Sequence, residues 1–350
     1  MQNKESALRL GFTFAGCYLG AGYVSGQELW QFFGRFGRQG IAGLLLAVVL
    51  SFFFGILLLR LVQRTGCDQT DALVVRRPIP LLRGAVGFLQ LFFLLGILVI
   101  MAAGVGALAV QLLNIPAFWG SGVFCVAVAV LSLTGTAGMT KVFSAVVPML
   151  VICSVAVSIL TLCRQEAPVI TAAVRTEHPG LWVLASCSFV SYNLFSSIGI
   201  LAPVCIGVRS PRIAWRGIFL GCVMLFSIAL GIFLAMHASP WAIASPLPML
   251  SVAGALGSGW HGVYALLLFG AMLGTALSCA VALRHYCFGR FPRLAARPIF
   301  FVLLLASFSW GGSLFGFGRL IGTVYPICGA LGSFALLGLL LHRIALSRRI

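Results

Sequence analysis

Glu28 is the one carboxylate of this chain that falls inside a hydrophobic span. The other acids, Glu5, Asp68, Asp71, Glu166 and Glu177, belong to a terminus or to loops. A carboxylate at mid-membrane costs about 2.5 kcal/mol or more to insert, so it needs partners or a task. It closes the stretch "GAGYVSGQE" (20–28), in which Gly20, Gly22 and Gly26 crowd seven residues just before Gln27. Three tasks fit a buried carboxylate. It can take up and release a proton, grip the positive end of a solute, or hold its own helical segment through hydrogen bonds from elsewhere. Pairing with a distant cation, with no titration at all, is the plainer alternative.

A second polar group stands at 186–199, "SCSFVSYNLFSSIG", where Ser186, Ser188, Ser191, Asn193, Ser196 and Ser197 surround Tyr192, with Gly199 and Pro203 beyond. Thr275 and Ser278 lie about one turn apart in "GAMLGTALSCAV", a spacing at which hydroxyls often bond only to their own helix. His261 and Tyr264 open the same span and suit a gate. Nothing pairs a nucleophile with a base, clusters metal ligands or cradles a phosphate, so the chain does not read as an enzyme and calls for no cofactor. The eleven cysteines form no C-x-x-C pair and read as small packing residues.

These groups sit in a sequence that is 61% hydrophobic and 8% charged, with a mean hydropathy of +1.11. Such a composition belongs in a bilayer. Ten helical spans are predicted at 7–33 (interrupted), 39–63, 82–113, 117–134, 140–163, 181–206 (interrupted), 213–237, 260–287, 297–311 and 319–342. With the N-terminus in the cytoplasm, only Arg35, Arg38, Arg164, Arg175 and Arg319 of the 23 lysines and arginines fall outside. The net charge of +17 is thus a topology signal for a multi-pass protein of the cytoplasmic (inner) membrane, both termini cytoplasmic, and does not indicate nucleic acid. No small-residue cleavage site ends the first span, so it reads as retained.

An internal repeat is also legible. "KVFSAVVPMLV" (141–151) and "RLIGTVYPICG" (319–329) align Val146 with Val324 and Pro148 with Pro326. Five spans separate the copies, an odd number, so the two units are inverted across the membrane: 1–163 carries spans one to five, 181–350 carries spans six to ten. The first and sixth spans then correspond, and both carry helix-breaking residues. Paired breaks in matching positions are the best sequence pointer to a transporter's solute site, because an unwound stretch frees backbone groups at mid-membrane. The spacings of Gly16 with Gly20 and Gly22 with Gly26 also suit simple close packing of helices.

The segments "FAGCYLGAGYVSGQELWQFFGRFG" (14–37), "FVSYNL" (189–194) and "LIGTVYPICGALG" (320–332) resemble the signature segments of the YkvI-type membrane proteins, within the amino acid, polyamine and organocation transporter superfamily. The resemblance implies an all-α polytopic fold, the LeuT-like five-plus-five inverted repeat with interrupted helices 1 and 6. It also implies a solute site at Gly20, Ala21, Gly22, Tyr23, Val24, Ser25, Gly26, Gln27, Ser191, Tyr192, Asn193 and Ser196, with Glu28 in coupling or gating. Sodium-coupled members use first-helix carbonyls and two adjacent hydroxyl residues on the eighth helix. The corresponding site here would draw on Gly20, Tyr23, Thr275 and Ser278. Gly274 stands where one hydroxyl is expected, which favours proton coupling or exchange.

The expectation is a secondary transporter of a small polar solute, an amino acid or related amine, working by alternating access, with a proton or sodium as coupling ion. A receptor or scaffold that keeps this fold and moves nothing is the rival. A channel would show a polar stripe through several helices, and the polar residues concentrate instead around the two breaks. The connections at 164–180 and 238–259 are long enough to form external lids, the second with a short helix in "LPMLSVAGALG".

Overall fold

The structure is a computed structural model that describes residues 7–77, 79–134, 137–164, 180–208 and 210–347. Most of the expected 164–180 lid, with Glu166, Arg175 and Glu177, lies outside the described residues, as do Lys4, Glu5, Arg209, Arg348, Arg349 and the side chain of Lys141.

Everything regular among the described residues is helical. The first span is three pieces, α1 (Ala7–Tyr18), α2 (Ala21–Ser25) and α3 (Gln27–Phe32). Next come α4 (Arg38–Thr65), a short α5 (Thr70–Val74), α6 (Pro80–Leu113), α7 (Ala117–Leu131) and α8 (Ala137–Cys163). After them follow α9 (Leu181–Gly207), α10 (Pro211–Ala238), α11 (Pro248–Leu256), α12 (Ser258–Arg290), α13 (Pro292–Ala295), α14 (Pro298–Ser313) and α15 (Phe317–Ser347). Seven of these are long and apolar enough to cross a bilayer, and α7 and α14 are shorter apolar helices. The chain is a polytopic membrane protein.

Local sequence sets the ends. Proline opens α6, α10, α11, α13 and α14, where its missing N–H is no loss. Ser210 caps α10 by accepting from the Ile213 N–H. Gly66 ends α4 in the left-handed region at φ 64°, and Asn114 ends α6 at φ 53°. The expected short helix in the 238–259 connection is α11, preceded by a 3-10 turn at Pro240–Ala244.

The helices pack in a regular scheme. α1 lies on α10 and α8; α9 lies on α4 and α15; α6 lies on α12, α7 and α14; α8 also meets α10 and α12, and α15 meets α4 and α6. Glycines permit close crossings. A methyl on Gly11 or on Gly221 would come within 3.0 Å of a carbonyl of the facing helix, Gly217 and Gly11 respectively, so the α1 and α10 backbones touch there.

One expectation is corrected. The sixth span is not interrupted: α9 is one continuous helix, with Pro203 inside it. Its polar side chains bond back to their own turns and open nothing. Ser191 donates to the Cys187 carbonyl (2.6 Å), Asn193 to that of Phe189 (3.1 Å), and Ser196 and Ser197 both to that of Asn193 (2.9 and 2.6 Å). The first span does break: helix resumes at Ala21 and turns again at Gly26, whose φ of 87° suits glycine.

Candidate functional site

The break after Tyr18 is held by neighbours on two other helices. Thr275 Oγ1 of α12 lies 3.5 Å from the Leu19 carbonyl it donates to, and the Ala21 N–H points at Met101 Sδ of α6 at 3.3 Å. Chain groups that α1 leaves free are thereby partly engaged by side chains, as a bilayer interior requires. Further along, Tyr264 Oη donates to the Val24 carbonyl (2.7 Å), and Tyr23 Oη donates to the Leu225 carbonyl (2.8 Å). Tyr264, expected at a gate, is fully buried and pins α2.

The second turn, at Gly26, re-aims the chain so that Glu28 lies in the first turn of α3. The residue is 2% exposed. Tyr192 Oη donates to Glu28 Oε1, and Asn193 Nδ2 donates to the same oxygen at 3.3 Å. The other oxygen faces Gly22, where an added Cβ would come 2.9 Å from it. Glycine at 22 therefore makes room for the carboxylate. Among the described residues no lysine, arginine or histidine pairs with Glu28. The distant cation considered from the sequence is not found there.

Glu28 lines a small cavity of mixed polar and apolar lining, ≈ 20 Å³ for the centre of a water molecule, about one water's worth. Gly20, Tyr192, Asn193, Ser196, Thr275 and Ser278 line it too, so four of the twelve expected solute residues and three of the expected sodium ligands share one place. Others go elsewhere. Ser191 faces α15, 3.1 Å from Ser333 Oγ. Ala21, Tyr23, Val24, Ser25 and Gly26 do not line the cavity, and Gly22 packs against the Glu28 side chain and Ile321. Of the expected sodium ligands, Gly20, Thr275 and Ser278 share the cavity, and Ser278 donates to the Gly274 carbonyl (2.7 Å). Tyr23 lies outside it, and its carbonyl already accepts the Gly26 N–H.

Sequence reasoning missed Met101, Cys17, Cys279 and Tyr325. Tyr325 was in view, within "TVYPICG", only as a mark of the repeat. It stacks on Tyr192 with ring centroids 4.6 Å apart and planes at 15°. For the methionine and the cysteines no signal distinguished cavity from packing.

Gln27 points the other way, into an open vestibule of ≈ 780 Å³ shared with Gln111, Ser121, Ser313 and Arg319. Gln27 Nε2 donates to the Ser245 carbonyl (2.8 Å). Gln111 donates to Ser251 Oγ, which donates to Ser245 Oγ, both at 2.9 Å. The 238–259 connection is thus strapped across the first span between vestibule and cavity.

This fold and this buried polar site define a polytopic membrane protein with a break in its first span. The chain is 27% identical over 354 residues to the uncharacterized membrane protein YkvI of Bacillus subtilis (strain 168), covering 99% of each. It is 26% identical to YyaD of the same organism over 345 residues, 94% of each. The resemblance to YkvI-type proteins read from three segments therefore extends along the chain. No family model matches. Among solved structures the fold is similar to a glutamate-to-alanine mutant of the Eremococcus coleocola manganese transporter, with a TM-score of 0.60 and 17% identity, covering 95% of this chain and 78% of that one. The same transporter in complex with an aromatic bis-isothiourea substituted compound gives a TM-score of 0.56 and 18% identity over 96% and 78%.

Proposed function

We propose that this chain is a secondary transporter of a small polar solute, an amino acid or related amine, driven by alternating access and coupled to protons through Glu28. The observation that carries this reading is a glutamate 2% exposed, with hydroxyl and amide partners, lining a small cavity of mixed lining beside a broken helix. A carboxylate so placed is a default functional site in a membrane protein. The fold it shares with a manganese transporter supports movement of a solute in preference to a scaffold role.

Helix packing supports a LeuT-like inverted repeat of 1–163 and 181–350. Taking α1–α3, α4, α6, α7 and α8 as spans one to five and α9, α10, α12, α14 and α15 as six to ten, most contacts recur on exchanging partners. α1 on α10 matches α9 on α4; α1 on α8 matches α9 on α15; α8 on α12 matches α15 on α6. Pro148 and Pro326 lie inside the fifth and tenth spans of this scheme. In that frame the vestibule with Arg319 is external, both termini are cytoplasmic, and the chain resides in the inner membrane. The strap on Gln27 closes the cavity from outside, and a cytoplasmic opening completes the cycle.

Sodium is the weaker coupling ion, since Tyr23 does not line the cavity, its carbonyl already accepts the Gly26 N–H, and Ser278 returns to its own helix. The test is solute uptake into proteoliposomes under an imposed pH gradient, with and without sodium. Uptake that follows the proton gradient, ignores sodium and loses its proton dependence in Glu28→Gln supports the reading. Uptake that needs sodium refutes proton coupling, and no flux of any solute refutes transport.

A further inference from the structure

We infer that the cargo is a small organic monocation, an amine without a carboxylate, and that it exchanges with a proton at Glu28, so that the two never occupy the carboxylate together. This rests on the transporter reading above and sharpens it. The first premise is charge. The titratable groups lining the cavity with Glu28 are Cys17 and Tyr18 of α1, Tyr192 of α9, Cys279 of α12 and Tyr325 of α15, with Tyr23 of α2 near the carboxylate but outside the cavity, and none of them is a cation. Glu28 is therefore the only group there whose charge must be matched, and no described residue matches it. A bare carboxylate is costly to hold in a dry membrane site. Each conformational crossing therefore has Glu28 neutralised, either by a proton or by a cationic cargo.

The second premise is shape and lining. A zwitterionic amino acid needs a place for its own carboxylate, and among the described residues the cavity offers no cationic side chain for it. The sixth helix is continuous, so it presents no half-helix end there. The space beside Gly22 is filled by Glu28 itself, 2.9 Å from where a Cβ would stand. A second carboxylate would face the first without a cation between them. An alkylammonium meets better company. The stacked Tyr192 and Tyr325 border the cavity with Met101 and Ile97, a mix of aromatic, thioether and aliphatic surface beside one anion. The narrowness of the cavity calls for a small amine and for movement of the lining as it enters.

The exchange balances simply. The protonated carboxyl releases its proton to one side, the carboxylate pairs with the ammonium, and the reverse occurs on the other side. One proton moves against one monocation, and no net charge crosses.

The experiment uses purified full-length protein with ethanolamine and methylammonium as probes, and serine and glycine as the matched carboxylate-bearing controls. Thermal unfolding is followed at several pH values, and proton release is followed in proteoliposomes. The expected result is stabilisation by the amines and none by serine or glycine. The amine concentration giving half the effect should fall by up to about tenfold per unit rise in pH where proton and amine compete. In proteoliposomes each amine taken up should expel one proton. Glu28→Gln should lose the amine effect and Glu28→Asp should keep part of it. If neither variant folds, the wild-type pH dependence decides. Stabilisation by serine or glycine but not by the amines overturns the inference and leaves the transporter reading standing. Amine binding that ignores pH also overturns it. No binding and no proton flux with any probe sinks both.

Discussion

At the scale of the residue, two side chains and one glycine decide whether the site exists. Tyr192 and Asn193 are neighbours on α9 and both donate to one oxygen of Glu28, so the carboxylate is oriented by a single turn of one helix. Removing the tyrosine hydroxyl in Tyr192→Phe leaves the ring stack on Tyr325 but deletes a charge-assisted bond, a loss of roughly 1.5–3 kcal/mol if the carboxylate stays ionised. We expect Tyr192→Phe to fold, to lose stability, and to shift the pH profile of transport relative to wild type; an unchanged profile would show that the hydroxyl does not tune Glu28. Gly26 carries the turn that delivers Glu28. An alanine there must adopt φ near 87° and put its methyl into Met236, so Gly26→Ala costs at least about 1–2 kcal/mol from the backbone alone. Its thermal midpoint should fall clearly below that of Gly262→Ala, where nothing lies within 4 Å of the added methyl.

At the scale of the element, the first span was readable and the sixth was not. Three glycines in seven residues leave a hydrophobic helix with little to hold it straight, and it breaks near where they cluster. Serines and an asparagine look similar in sequence, but their hydroxyls and amide can bond to carbonyls one turn back, and in α9 they do. That local choice is invisible to composition, which is why a cluster of polar residues suggested a break that the chain does not make. Cavity residues from α6 and α15 were hidden for another reason: Met101 and Tyr325 are apolar or aromatic residues in apolar helices, and only tertiary packing aims them at Glu28. The glycine pairs also misled in place. Gly16 and Gly20 border the cavity, whereas backbones meet where Gly11 faces Gly217 and Gly221 and where Gly329 and Gly332 of α15 face α9. Gly221→Leu should therefore separate α1 from α10 and lower the yield of folded protein, while Gly289→Leu, at a position with open space around it, should not. Equal yields would mean that the α1 and α10 crossing tolerates side chains that the packing says it cannot.

At the scale of the whole molecule, the two cavities sit on opposite sides of one short segment. The vestibule is open and large; the inner cavity is small and closed, and α2, α3 and the Ser245 strap lie between them. Alternating access requires that the inner cavity open while the vestibule closes, and native thiols report on this. Cys279 lines the inner cavity and is 2% exposed, so a water-soluble thiol reagent has no route to it in this arrangement. With Cys279 as the only cysteine retained, we expect slow labelling in the resting protein and faster labelling from the cytoplasmic side during turnover. A cysteine placed at Ala244, an exposed residue of the vestibule wall, should show the reverse, with labelling that slows as the outer side closes. Breaking the strap with Gln27→Ala should loosen the outer closure and raise Cys279 labelling from outside, because its side-chain amide is the bond that ties α3 to Ser245. If Cys279 labels at one rate whatever the solute, the pH or the state of the strap, the two cavities do not exchange access, and the fold is a rigid scaffold around a structural carboxylate.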